Sequence, residues 1–109
     1  MAFDEQLAAR IRAHLGKRSG VAERKMFGGI IFMLQGNMCC GVHGDALIAR
    51  IGAEEASEAL AEPHTHVFDL TGRPMKAWVL VDRQGLVNAG QLEKWVDRAA
   101  KHAASLPPK

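Results

Sequence analysis

Long apolar runs, metal-type cysteine spacings and stretches of like charge are all missing from this 109-residue sequence. The longest apolar stretch lies around Ile30 to Leu34, far short of the roughly 20 residues that a membrane-spanning helix needs. Met1-Ala2-Phe3-Asp4-Glu5 has neither the basic nor the apolar segment of a signal peptide. The two cysteines are neighbours, Cys39 and Cys40. On a strand, adjacent side chains point to opposite faces, so a bridge between them is not expected. This favours a reducing compartment, and the cytoplasm is the expected location. Aromatic residues are also few: Phe3, Phe27, Phe32, Phe68, Trp78 and Trp95. Most fall at predicted core positions, which leaves no stacking platform for single-stranded nucleic acid. The net charge of +2 and pI of about 8.7 are only mildly basic. Charge alone therefore does not announce a nucleic-acid partner.

No linker, internal repeat or low-complexity segment interrupts the chain, and residues 1–109 read as one domain. A chain of this length buries roughly two-thirds of its unfolded surface, so no disulfide or metal is required to hold it. Asp4 is a good N-cap for a first helix, in which Leu7, Ile11 and Leu15 recur at a spacing of four. Gly16 is its expected stop, and Lys17 to Val21 reads as a connector.

The period then changes. Met26 to Leu34 reads as a strand interrupted by Gly28-Gly29, a pair that suggests a bulge or a close backbone approach. Met38 to Val42 and Ala46 to Ile51 follow after short turns, which predicts an antiparallel meander. Ala53 to Ala61 reads as a short helix with Ala56 and Leu60 inward, stopped at Glu62-Pro63-His64. Val67 to Leu70 reads as an edge-like strand, Thr71 to Pro74 as a turn, and Lys76 to Val81 as a fifth strand. A final helix from about Gly90 to Ser105 carries the stripe Leu92, Trp95, Val96, Ala99 and Ala103. The order α-β-β-β-α-β-β-α predicts an α+β, two-layer fold with helices on a five-stranded antiparallel sheet.

The strands are apolar on both faces. Ile30, Phe32 and Leu34 alternate with Ile31 and Met33, and Val79 and Val81 alternate with Trp78 and Leu80. Antiparallel sheets with one wet face alternate apolar with polar instead. Either loops and a terminus cover the second face, or Ile31, Met33, Trp78 and Leu80 form a surface for a protein partner or for a second copy in a homodimer.

Little in the sequence points to chemistry. His64-Thr65-His66 sets two imidazoles on one side of an extended segment, but neither Cys-x-x-Cys nor His-x-x-x-His is present. Cys39 or Cys40 with His43 is the one local nucleophile–base candidate, and both cysteines sit in an apolar run where a thiol is an inert core group. Met26-Phe27-Gly28-Gly29 lacks the Gly-Lys-Ser/Thr ending of a phosphate loop. No catalytic residue, metal ligand or cofactor is expected; a metal- or thiol-dependent enzyme is the residual alternative. Arg24, Lys25, Arg50, Arg73 and Lys76 are more suggestive. Gathered at one end of the sheet, they would bind an anion or a nucleic-acid backbone; scattered, they are ordinary surface charge.

Several blocks taken together carry a family resemblance. Met26-Phe27-Gly28-Gly29, Gly36-Asn37-Met38 and Leu47-Ile48-Ala49-Arg50 resemble the N-terminal domain of TfoX/Sxy proteins. Asp69 to Lys76 and the closing Leu106-Pro107-Pro108-Lys109 are similar to its stand-alone bacterial members. The resemblance implies a two-layer fold similar to type III secretion chaperones. It also implies a regulatory, non-catalytic domain linked to natural competence and transcription through a protein partner, without the helical second domain of the full-length regulators.

Overall fold

The sheet begins where the apolar pattern shows no strand. The computed structural model describes residues 3–26, 28–70 and 72–108; the side chains of Leu70, Arg73 and Pro74 lie outside that description. After α1 (Glu5–Leu15) come β1 (Val21–Met26), β2 (Gly29–Leu34), β3 (Asn37–His43) and β4 (Ala46–Arg50). Then follow α2 (Ala53–Ala59), β5 (Thr65–Leu70), β6 (Arg73–Val81), a 3-10 turn at Arg83–Leu86 and α3 (Ala89–Ala104). All strand pairs are antiparallel, in the order β1-β2-β3-β4-β6-β5. The α+β class is as expected, with six strands in place of five.

The added strand is β1, which the sequence pattern assigns to the connector and the residues just after it. Ala22 to Lys25 are all exposed, so β1 carries no apolar alternation. Its pairing with β2 holds it, from Val21 opposite Leu34 to Met26 opposite Gly29. An edge strand bearing Glu23, Arg24 and Lys25 discourages further strand addition. The paired glycines divide their work. Gly28 takes φ +72° in the β1–β2 turn, a conformation that side-chain-bearing residues adopt at a cost. A Cβ on Gly29 would meet the Val42 carbonyl oxygen, so this is the close approach that the sequence suggests.

Capping sets the helix ends. The Asp4 carboxylate accepts from the Gln6 and Leu7 amides at 2.9 and 3.2 Å. Asn88 and Gln91 form a reciprocal capping box on α3. Helices α1 and α3 cover one face of the sheet. There Ile11, Leu15, Trp95 and Val96 pack with Phe32, Val42, Leu47 and Val79 in one buried cluster. A bulge between β2 and β3 sets Phe32 opposite Cys40 and Met33 opposite Met38, which leaves Cys39 as the extra residue. Both cysteines then join the helix-side core, fully buried. The expectation that they point apart is corrected by this bulge; both remain free thiols.

The second face is closed by neither a loop nor a terminus among the described residues. Ile31, Ile48, Phe68 and Trp78 form its buried centre, ringed by half-buried side chains that include Met26, Met33, Met38 and Leu80. Phe68 belongs to β5, three strand spacings from β3, or about 14 Å in a flat sheet. Its ring centroid is nevertheless 5.7 Å from that of His43 on β3 and 6.0 Å from that of Trp78. The sheet therefore curls at the β5–β6 hairpin and brings Phe68 over the second face. A register shift between Val67 and Asp69 accompanies the curl.

Neighbouring residues on β5 should respond very differently to truncation. Phe68 is 1% exposed and Val67 49%. Phe68→Ala should lower unfolding free energy by about 3–5 kcal/mol, and Val67→Ala by no more than about 0.5 kcal/mol, read from urea denaturation midpoints. Equal, small losses would contradict closure by the hairpin.

Candidate functional site

The basic residues singled out in the sequence lie on different parts of the sheet. Arg24 and Lys25 are exposed on β1, opposite Ile31 and Ile30. Lys76 is exposed on β6, four strand spacings away, or about 19 Å. Arg50 ends β4 between them, half-buried, with Nη1 3.5 Å from the Met38 carbonyl oxygen. The backbone of Arg73 begins β6, and its side chain lies outside the described residues. Of the expected partner face, Ile31 and Trp78 are buried and Met33 and Leu80 half-buried. A charge introduced at Ile31 would thus test folding rather than binding.

The residues weighed for chemistry do not form a reactive arrangement. The hydrogen bond with Cys39, together with burial, pushes the Cys40 thiol well above its ordinary value, which is the reverse of what a nucleophile needs. His64 and His66 both meet Asp82: His64 Nδ1 lies 3.5 Å from Oδ1, and His66 Nε2 lies 2.9 Å from Oδ2. The His66 contact holds the Asp82 carboxyl below its ordinary value against partial burial, with His64 and the Gln84 amide assisting. Asp82 also accepts the Gln84 amide at 3.1 Å. It thereby ties the start of β5 to the end of β6. Among the described residues, no group of three His, Cys, Asp or Glu side chains is arranged to hold a metal ion.

A different feature gathers at the other end of the sheet. Ala53, Ala56, Ser57 and Leu60 on one wall, and Val67, Met75, Lys76 and Trp78 on the other, line an open groove of about 270 Å³. Helix α2 is set beside it by the backbone, because the amides of Ile51 and Gly52 both donate to the Ala77 carbonyl oxygen, at 3.0 and 3.1 Å. Ala56 and Ala59 face the core. Leu60, expected inward, is 40% exposed; as the C-cap residue it follows the end of the helix and turns to the groove instead. The large hydrophobics exposed among the described residues are Leu60, Val67 and Val87, and the first two line this groove together. Sequence reasoning missed the site because Leu60 fits the helix stripe. The adjacent apolar pair Val67-Phe68 was the available signal, since only one of two neighbours on a strand can face the same core.

Charge is unevenly distributed along the chain. Between residues 53 and 62 stand Glu54, Glu55, Glu58 and Glu62, with no Lys or Arg. Arg24 and Lys25 on β1, and Lys17 and Arg18 in the connector before it, are exposed, with Arg18 3.3 Å from Asp97. An Arg12–Glu23 ion pair of 2.6 Å links α1 to β1 there. The acidic segment is clamped to α3 by Arg98, which is 2.9 Å from Glu62, 3.7 Å from Glu55 and stacked 4.5 Å over the Trp95 ring. Lys94 also reaches Glu62 at 3.1 Å.

Burial raises the Glu62 carboxyl, but Arg98 and Lys94 together outweigh it and hold the group below its ordinary 4.5. A depressed carboxyl pKa means stability that is present above 4.5 and lost as pH falls through the folded value. Arg98→Ala should therefore cost on the order of 1 kcal/mol near neutral pH, part of it lost packing on Trp95. The gap between the two proteins should narrow as pH drops below 4.5 in acid-unfolding curves. A gap that widens in acid would contradict the clamp.

Comparison with known proteins adds one finding. No curated protein and no solved structure matches the chain. The family model described as "TfoX N-terminal domain" matches residues 13–103. That span runs from the second half of α1 to the last turn of α3 and takes in every strand and the groove, so the chain belongs to the TfoX N-terminal domain family.

Proposed function

We infer that this chain is a non-catalytic regulatory interaction domain, linked to competence and transcriptional control, that works by binding a protein partner. The observation that carries the reading is the groove between α2 and β5, where Leu60 and Val67 stay exposed in a lining shared with Met75 and Trp78. Exposed apolar side chains standing singly mean little, and two gathered on one concave surface support a contact site. The groove, at about 270 Å³, stands at the lower end of the roughly 300–1,000 Å³ of small-molecule sites, and its open shape suits side-chain anchors of a protein. Family membership supplies the regulatory context.

In a naturally transformable host, removing the chain should lower transformation frequency, and the unaltered chain should restore it. Val67→Asp, placed at an exposed edge position, should fold normally by circular dichroism and fail to restore it. Unchanged transformation after removal would contradict the competence link; full rescue by Val67→Asp would contradict the groove.

The exposed Lys17, Arg18, Arg24 and Lys25 support a second reading, accessory binding of duplex nucleic acid at β1. It predicts anisotropy of labelled duplex DNA that rises with protein at low salt and collapses near physiological salt. Arg24→Ala with Lys25→Ala should weaken it. No binding at low salt removes this reading.

A further inference from the structure

We propose that the groove and the free edge of β5 together receive an extended, basic segment of a partner protein, which adds to the sheet as a seventh strand. This rests on the interaction reading above and specifies its ligand.

The two outer edges of the sheet differ in kind. On β1 the edge is guarded by Glu23, Arg24 and Lys25, side chains of the sort that keep edges from pairing. On β5 the middle of the edge carries Val67, half exposed, beside an apolar groove. The backbone there is set up for pairing. The Asp82 amide donates to the His64 carbonyl oxygen at 2.9 Å, and Thr65 stands opposite Val81. Hydrogen-bonded pairs alternate along an antiparallel ladder. His66 opposite Leu80 is then the next bonded pair, and the amide and carbonyl groups of Thr65 and Val67 are directed away from β6. Strand addition satisfies such groups with main-chain bonds, and a neighbouring pocket reads alternate side chains.

Charge selects the occupant. On α2, Glu54 and Glu58 stand one turn apart and exposed, on the outer side of the wall formed by Ala53 and Ser57, while Lys76 stands on the β6 wall opposite. Apolar side chains pointing into the groove, alternating with lysine or arginine on the α2 side, complement that surface. A second copy pairing β5 with β5 in antiparallel fashion would bring two acidic α2 helices together, which disfavours self-association here.

The test uses the whole chain, labelled with nitrogen-15, and two synthetic probes: a seven-residue peptide alternating lysine and valine, and the same peptide with glutamate for lysine. The lysine peptide should shift and protect the Val67 amide, and the glutamate peptide should bind at least roughly tenfold more weakly. Glu54→Lys with Glu58→Lys, both at exposed positions, should reverse that preference. Leu60→Ser, at an exposed C-cap, should weaken both peptides. Equal binding of the two peptides, or shifts confined to β1 and the second sheet face, would overturn the proposal. So would a dimer in sedimentation whose Val67 amide is already protected without peptide, which would assign the edge to a second copy. If Val67→Asp abolishes transformation while neither peptide touches β5, the groove remains the partner site and the basic strand is wrong.

Discussion

Closure of the second sheet face by the β5–β6 hairpin is the constraint on which the other features depend. Three helices lie on the helix side, yet Ile31 and Ile48 on the opposite side are fully buried. Phe68 and Trp78 complete that second core. Bringing Phe68 over the face bends the hairpin, and the bend shows as the register shift after Val67. Helix α2, hung on the Ala77 carbonyl, lies beside β6 and leaves Val67 of the outermost strand exposed. The groove is the space left between them, where a member of each core, Ala56 and Trp78, reaches the same surface.

Much of this was legible in the sequence, and the failures have physical causes. Helix caps and stripes are local, so Asp4, the α1 spacing and the α3 stripe read correctly. The α+β class followed from the order of the elements. Strand β1 was invisible because its residues are exposed and polar, and only pairing with β2 makes it a strand. The bulge that turns Cys39 and Cys40 to one face depends on the register between two strands, which no single-strand pattern encodes. Leu60 satisfied the helical period but stands at the cap, where the period no longer applies.

The candidate sites were less legible than the fold for a related reason. A site is a statement about which residues meet. Arg24, Lys25, Arg50 and Lys76 share a charge but belong to strands β1, β4 and β6, spaced across the sheet. Leu60 and Val67 share no motif, yet the path of α2 over β6 brings them together. The doubly apolar strands did signal something real. What they foretold was a second core closed from within, and the apolar surface that remains open lies at its rim. The chain belongs to the TfoX N-terminal domain family.

Amide hydrogen exchange on the free chain tests the account most directly, because it reads closure of the second face and openness of the β5 edge together. Ile31 and Ile48 should exchange only through global unfolding, and His66 should be protected by its bonds to β6. Val67, one residue on, should exchange fast. Uniform protection from Thr65 to Phe68 would mean that the edge is already covered. Fast exchange at Ile31 and Ile48 would mean that the hairpin does not close the face.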